Sequence, residues 1–177
     1  MIGLPLEERG DLDATIDMLA RLEAGRFRWA VFYPFPGTDI HRLCKERNLI
    51  DPKKMEDLDN FYEASPLRLE PDLDLYLSKL QRGLHWYVNA RSSFNSASAY
   101  REKVAELERM SSTEWRERAR TFLEEDRRLS ERMEAESRLH YSIRFTQVMA
   151  VRSDFREEGE DLSRPAKEWK STPQRSL

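Results

Sequence analysis

The chain has a single cysteine, Cys44, among 177 residues. It therefore forms no intrachain disulfide. Nor does it have the several thiolates that an iron–sulfur site needs. Long apolar runs are also missing. None approaches the roughly 18 residues of a transmembrane helix, so no membrane span is expected. The opening Met1-Ile2-Gly3-Leu4-Pro5 lacks the charged and apolar regions of a secretory leader. A cytoplasmic location is the expectation. Charge of one sign is absent as well: 30 basic and 33 acidic residues leave a net charge of −3. That balance gives no electrostatic reason to expect nucleic acid. The histidines His41, His85 and His140 are far apart, with no partner at i+4, which argues against a zinc site. No internal repeat is present.

What the chain does have is alternating local structure near its start. Ile2 to Leu4 is a short apolar stretch ended by Pro5, compatible with a buried strand. Asp11 precedes a one-sided helical run through Leu12, Ile16, Leu19 and Leu22. Acids near its start suit the helix dipole, and Gly25 is placed to stop it. Phe27 to Tyr33 reads as a strand rich in aromatic and β-branched residues, with Phe27, Trp29, Val31 and Tyr33 on one side. Pro34 and Pro36 end it, since neither carries an amide hydrogen. Thr38 or Asp39 caps a second helix through Ile40, Leu43 and Cys44, and Asn48 is suited to its left-handed stop. The order strand, helix, strand, helix implies parallel strands joined by helical crossovers.

The next stretch, 51–71, has prolines and no period, and reads as an extended connection. Asp72 is placed to cap a strong helix with Leu73, Tyr76, Leu77, Leu80, Leu84 and Tyr87 on one face. Residues 89–98 read as a Ser- and Asn-rich loop. A further helix carries Tyr100, Val104, Leu107 and Met110. Ser111 with Glu114 forms a capping-box pattern that restarts a helix through Trp115, Ala119 and Phe122. From Glu124 to Arg138 the stripe thins to Leu129 and Met133, the pattern of a solvated helix with ion pairs along it. Tyr141, Ile143 and Phe145 alternate as in a strand, and a helix fits nearly as well. The polar stretch 151–177 reads as a disordered tail.

Three segments carry a resemblance. Gly3-Leu4-Pro5-Leu6-Glu7-Glu8-Arg9-Gly10-Asp11 resembles the G-[LFI]-P-G-E-T-x-E-D segment of radical SAM proteins. Phe32-Tyr33-Pro34-Phe35-Pro36-Gly37-Thr38 is similar to the turn that follows the sixth barrel strand in that superfamily. Leu43-Cys44-Lys45-Glu46-Arg47-Asn48-Leu49-Ile50 is similar to the helix end that comes next. Order and spacing agree across all three. The nearest branch is the one with a cobalamin-binding domain ahead of its barrel.

The resemblance implies an α/β fold: residues 1–69 as the last two β/α units of a partial (β/α) barrel, then a mainly helical extension over 70–150. It implies that Gly3, Pro5 and Glu7 lie beside an adenosine, with Tyr33, Pro34, Pro36, Gly37 and Thr38 closing the rim. The implied cofactors are S-adenosylmethionine, a [4Fe–4S] cluster and, in this branch, cobalamin. The family's CxxxCxxC motif is absent here, and the four preceding strands lie outside the chain. The expectation is a fragment inactive alone, whose partner is the N-terminal part of a barrel on another chain. Two departures bear on the turns: Leu6 stands where the family has Gly, and Glu8 where it has a capping Thr. Cys44 on an apolar helix face reads as a core thiol, and Trp86, Tyr87 and Phe94 as packing residues. The alternative function is a non-catalytic helical accessory protein.

Overall fold

The computed structural model describes residues 1–57 and 64–155. The elements in chain order are α1 (Arg9–Leu22), β1 (Arg26–Arg28), α2 (Asp39–Glu46), α3 (Pro52–Asp57), α4 (Pro71–Arg91), α5 (Ala97–Arg109), α6 (Ser112–Ala119), α7 (Phe122–Ala135), β2 (Tyr141–Ile143) and β3 (Met149–Arg152). The molecule is mixed but mostly helical, with one small sheet in the order β1-β3-β2, both pairings antiparallel.

The expected parallel relation is present at one point. Ile2 and Val31 form a parallel bridge, with Ile2 N–H donating to Ala30 O at 3.0 Å and Phe32 N–H to Ile2 O at 2.8 Å. Helix α1 is the crossover between them. The opposite edge of the same segment takes a different neighbour: Arg26 to Arg28 pair with Val151 to Met149, and Trp29 N–H donates to Val148 O at 3.1 Å. The Phe27–Tyr33 stretch is therefore central, with Ile2 on one side and β3 on the other.

β3 lies partly inside the expected tail, which is a correction. Val151 and Arg152 are strand residues; the rest of that expectation, from residue 156, falls outside the described residues. The Tyr141 segment resolves as a strand, and Phe145, at φ 67, turns the hairpin rather than extending it. The expected loop over 89–98 shortens, because α4 runs to Arg91 and α5 begins at Ala97. The connection after residue 51 contains α3, which has Pro52 in its first turn, where a missing amide hydrogen costs nothing. α4 starts at Pro71 for the same reason, so Asp72 lies within the first turn instead of capping it.

α4 is the axis of the core. From Tyr76 to Ala90 nearly every residue is buried. One apolar cluster gathers Ile2, Ile16, Trp29, Leu80, Trp86, Phe122, Tyr141 and Ala150, drawn from both sides of residue 70. α1 is fastened to α4 by polar contacts: Tyr76 OH donates to Asp13 at 2.8 Å and Arg91 pairs with Asp13 at 2.5 Å. Arg9 lies 4.0 Å over the Tyr76 ring and pairs with Glu108 of α5 at 2.7 Å. A second, smaller cluster of Phe32, Cys44 and Leu67 holds α2.

The free edge of β2 is closed by side chains. Asn89 accepts from Tyr141 N–H and donates to Tyr141 O, both at 2.8 Å, as a neighbouring strand would. Asp126 accepts from Ile143 N–H at 3.2 Å. An edge that would otherwise present open amides is thereby blocked.

Candidate functional site

The eight expected site residues fall in two segments, each leading from a member of the parallel pair into a turn: Pro5 and Glu7 lie in the first turn and Pro36, Gly37 and Thr38 in the second, with Gly3, Tyr33 and Pro34 just before them. Because Ile2 and Val31 run in the same direction, both turns leave from the same end. The turns have one design. In the first, Glu7 N–H donates to Leu4 O at 3.1 Å, with Pro5 at the second position and Leu6 at the third, φ 66. In the second, Thr38 N–H donates to Phe35 O at 3.3 Å, with Pro36 second and Gly37 third, φ 86. Proline followed by a residue at positive φ is the signature of a type II turn. The replacement of Gly by Leu at position 6 therefore leaves the turn standing, with a leucine in the left-handed region.

The polar groups of both turns are used internally. The Glu7 carboxylate accepts from Gly3 N–H at 2.5 Å and Leu4 N–H at 2.9 Å, which fixes the chain as it leaves the strand. Gly3 itself has φ 77, and a Cβ there would lie 2.6 Å from Leu77 Cδ2. Glycine suits this left-handed backbone, and a Cβ would press on the Leu77 side chain of α4. The Thr38 hydroxyl donates to Phe35 O at 2.8 Å and accepts from His41 N–H at 3.2 Å, capping α2 as expected. At the N-terminus of α1, Asp11 accepts from Glu8 N–H at 2.9 Å, which supports a start that lacks the family's Thr. Pro34 is buried and Tyr33 half-buried, its ring 4.9 Å from that of Phe35.

What the rim offers outward is apolar. Leu4, Leu6 and Phe35 are exposed, Leu6 at 61% and Phe35 at 50%. Such a surface suits a flat ring or another protein surface.

The interior holds a polar network centred on Asp126, which is buried rather than on the solvated face expected for this helix. Asp126 accepts from Trp86 Nε1 at 2.7 Å and pairs with His85 Nε2 at 2.7 Å. Burial pushes the Asp126 carboxyl up; His85 beside it, with the hydrogen bonds from His85, Trp86 and Ile143, outweighs this and holds it below the ordinary range. His140 Nδ1 lies 2.8 Å from Arg138 O. A carbonyl only accepts, so Nδ1 carries the proton, and Ser130 donates to Nε2 at 2.8 Å. Burial pushes the His140 imidazole down, so it is neutral at pH 7. The signal for Asp126 was present: Phe122, Asp126, Leu129 and Met133 follow helical spacing, so Asp126 fills a gap in the apolar stripe.

Cys44 is fully buried, and burial raises its thiol, as a structural role requires. Among the described residues no group of three His, Cys, Asp or Glu is placed to hold a metal ion. No helix there is long and apolar enough to cross a membrane. No family model, no curated protein and no solved structure matches the chain.

Proposed function

We propose that residues 1–69 are the last two β/α units of a radical SAM barrel, and that the chain lends the apolar rim of an adenosine pocket to cluster chemistry housed elsewhere. The reading is supported above all by one coincidence. The two segments that resemble the family's strand-end motifs become matching type II turns, both leaving the same end of a parallel pair. Ligands of parallel α/β folds bind at that end.

The cofactors divide by fit. An iron–sulfur cluster does not fit this chain, whose one thiol is buried and raised. The exposed apolar side chains of the rim are compatible with the flat face of the adenosine of S-adenosylmethionine. Tyr33, Pro34, Pro36, Gly37 and Thr38 would form one wall; Pro5 and the backbone held by Gly3 and Glu7 would form the other. In the parent reaction it supplies a 5′-deoxyadenosyl group on reductive cleavage. The work of this chain is to orient the purine and keep water from it. Cobalamin is a cofactor of the parent branch.

The test is to recover the full chain anaerobically from its source. The expected companion is a polypeptide with CxxxCxxC, joined to this one or separate, and the reduced sample should release 5′-deoxyadenosine from S-adenosylmethionine. Recovery of the chain without such a companion contradicts the reading. A second reading, a non-catalytic accessory protein, is favoured by one observation. The chain closes its own sheet with β3 and caps β2 with Asn89 and Asp126. A cooperative thermal transition of the lone monomer, with no cluster-bearing companion in cells, would select it.

A further inference from the structure

A groove of about 400 Å³ lies between α2 and α3, lined by none of the turn residues. It is formed by one face of each helix. α2 contributes His41, Cys44 and Lys45, whose spacing of three and four residues puts them on a single face. α3 contributes Met55 and Glu56, and Ile50 and Arg68 complete the wall. The volume is within the range of small-molecule sites.

The chemistry of the lining is uneven. Cys44, Ile50 and Met55 make an apolar floor, and the buried thiol stays protonated because burial raises it. Lys45 and Arg68 stand at the rim. Among the described residues neither is in an ion pair, which leaves both cations available to a ligand. The Arg68 side chain is held in place: its Nε–H donates to Ile50 O at 3.0 Å, and its backbone N–H to Leu49 O at 2.7 Å. A guanidinium fixed through Nε presents its remaining N–H groups as a fork for an anion. Among the described residues, Glu56 is the one acid of the lining.

We infer that this groove binds a small amphipathic anion, a carboxylate or sulfonate head on a compact apolar body. The head pairs with Arg68 and Lys45, and the body lies on Cys44, Ile50 and Met55. The site does not depend on the barrel reading, since none of its residues belongs to either turn. Binding by charge and apolar area together predicts that neither part of the ligand suffices alone.

The probe is 2-naphthalenesulfonate, titrated into the full chain and followed by amide chemical shifts. Its neutral counterpart, 2-naphthalenemethanol, is the control. Saturable shifts at Cys44, Lys45, Asn48 and Met55 are expected, with the alcohol binding about tenfold more weakly. Lys45→Ala with Arg68→Ala should weaken the sulfonate by a similar factor. Lys45→Glu, which leaves the Arg68 contacts with the backbone intact, should weaken it too; unchanged shift dispersion verifies that each variant is folded. The inference is overturned if the alcohol binds as well as the sulfonate. It is equally overturned if the charge variants bind unchanged, or if shifts spread over exposed apolar residues such as Leu22 and Phe145.

Discussion

At the scale of single residues, the two turns allow opposite substitutions to be compared. Leu6 and Gly37 hold the same position in matching turns, and only one has the residue that prefers positive φ. Leu6 is largely exposed, so its side chain contributes little packing. Leu6→Gly should stabilise the chain by about 0.5–1 kcal/mol, the relief of left-handed strain less the added freedom of the unfolded state. Gly3→Ala should act the other way. Its φ is 77 and its Cβ would meet Leu77, so a loss of about 1–3 kcal/mol is expected in urea unfolding. An unchanged midpoint for both variants would contradict the turn assignment.

At the scale of elements, the β2–β3 hairpin depends on side chains from α4 and α7. Asn89→Ala removes two hydrogen bonds from Tyr141 and leaves its amide and carbonyl buried, a cost of about 2–3 kcal/mol. Hydrogen exchange at Tyr141 and along β3 should accelerate before exchange in α4. Asp126→Ala should cost more, about 3–5 kcal/mol, because it strands His85, Trp86 Nε1 and Ile143 N–H together. Both this acid and His140 have lowered folded values, so both act in the same direction with pH. The unfolded chain takes up protons that the folded one resists. His140 contributes stability that is present above its unfolded value of 6.5 and is lost as pH falls toward its lower folded value. Asp126 adds a second loss below 3.8. Urea midpoints at pH 7.5, 6.0 and 5.0 should therefore decline, and His140→Gln should flatten that decline.

Most helices were legible because their apolar spacing is local. The capping box at Ser111 and Glu114 forms as its residues imply, with Ser111 N–H donating to Glu114 at 2.8 Å. Asn48 ends α2 at φ 53, and Leu49 N–H returns to Cys44 O at 2.8 Å. Gly25 was misassigned. The left-handed residue after α1 is Glu23 at φ 45, while Gly25 is required by Phe155, whose ring would lie 2.0 Å from a Cβ. β3 could not be read from its own residues, because what makes Met149–Arg152 a strand is the edge of β1 more than a hundred positions earlier. Of the candidate site, the turns were legible from Pro and Gly. The Thr38 cap of α2 was legible as well, whereas the return of the Glu7 carboxylate onto Gly3 N–H was not, since it depends on the local turn having closed.

At the scale of the whole molecule, the chain completes much of what an isolated pair of β/α units would lack. β3 covers one edge of the central segment, Asn89 and Asp126 block the edge of β2, and α4 fills the core. We propose that its exposed rim of Leu4, Leu6 and Phe35 borders a radical SAM active site whose cluster is held by other residues. The most direct measurement is anaerobic recovery of the full chain from its source, with iron content and 5′-deoxyadenosine release determined on the same sample. The account predicts a CxxxCxxC polypeptide, joined or bound, with iron and S-adenosylmethionine cleavage on reduction. A lone, cooperatively folding monomer, free of iron and of any such companion, would contradict it.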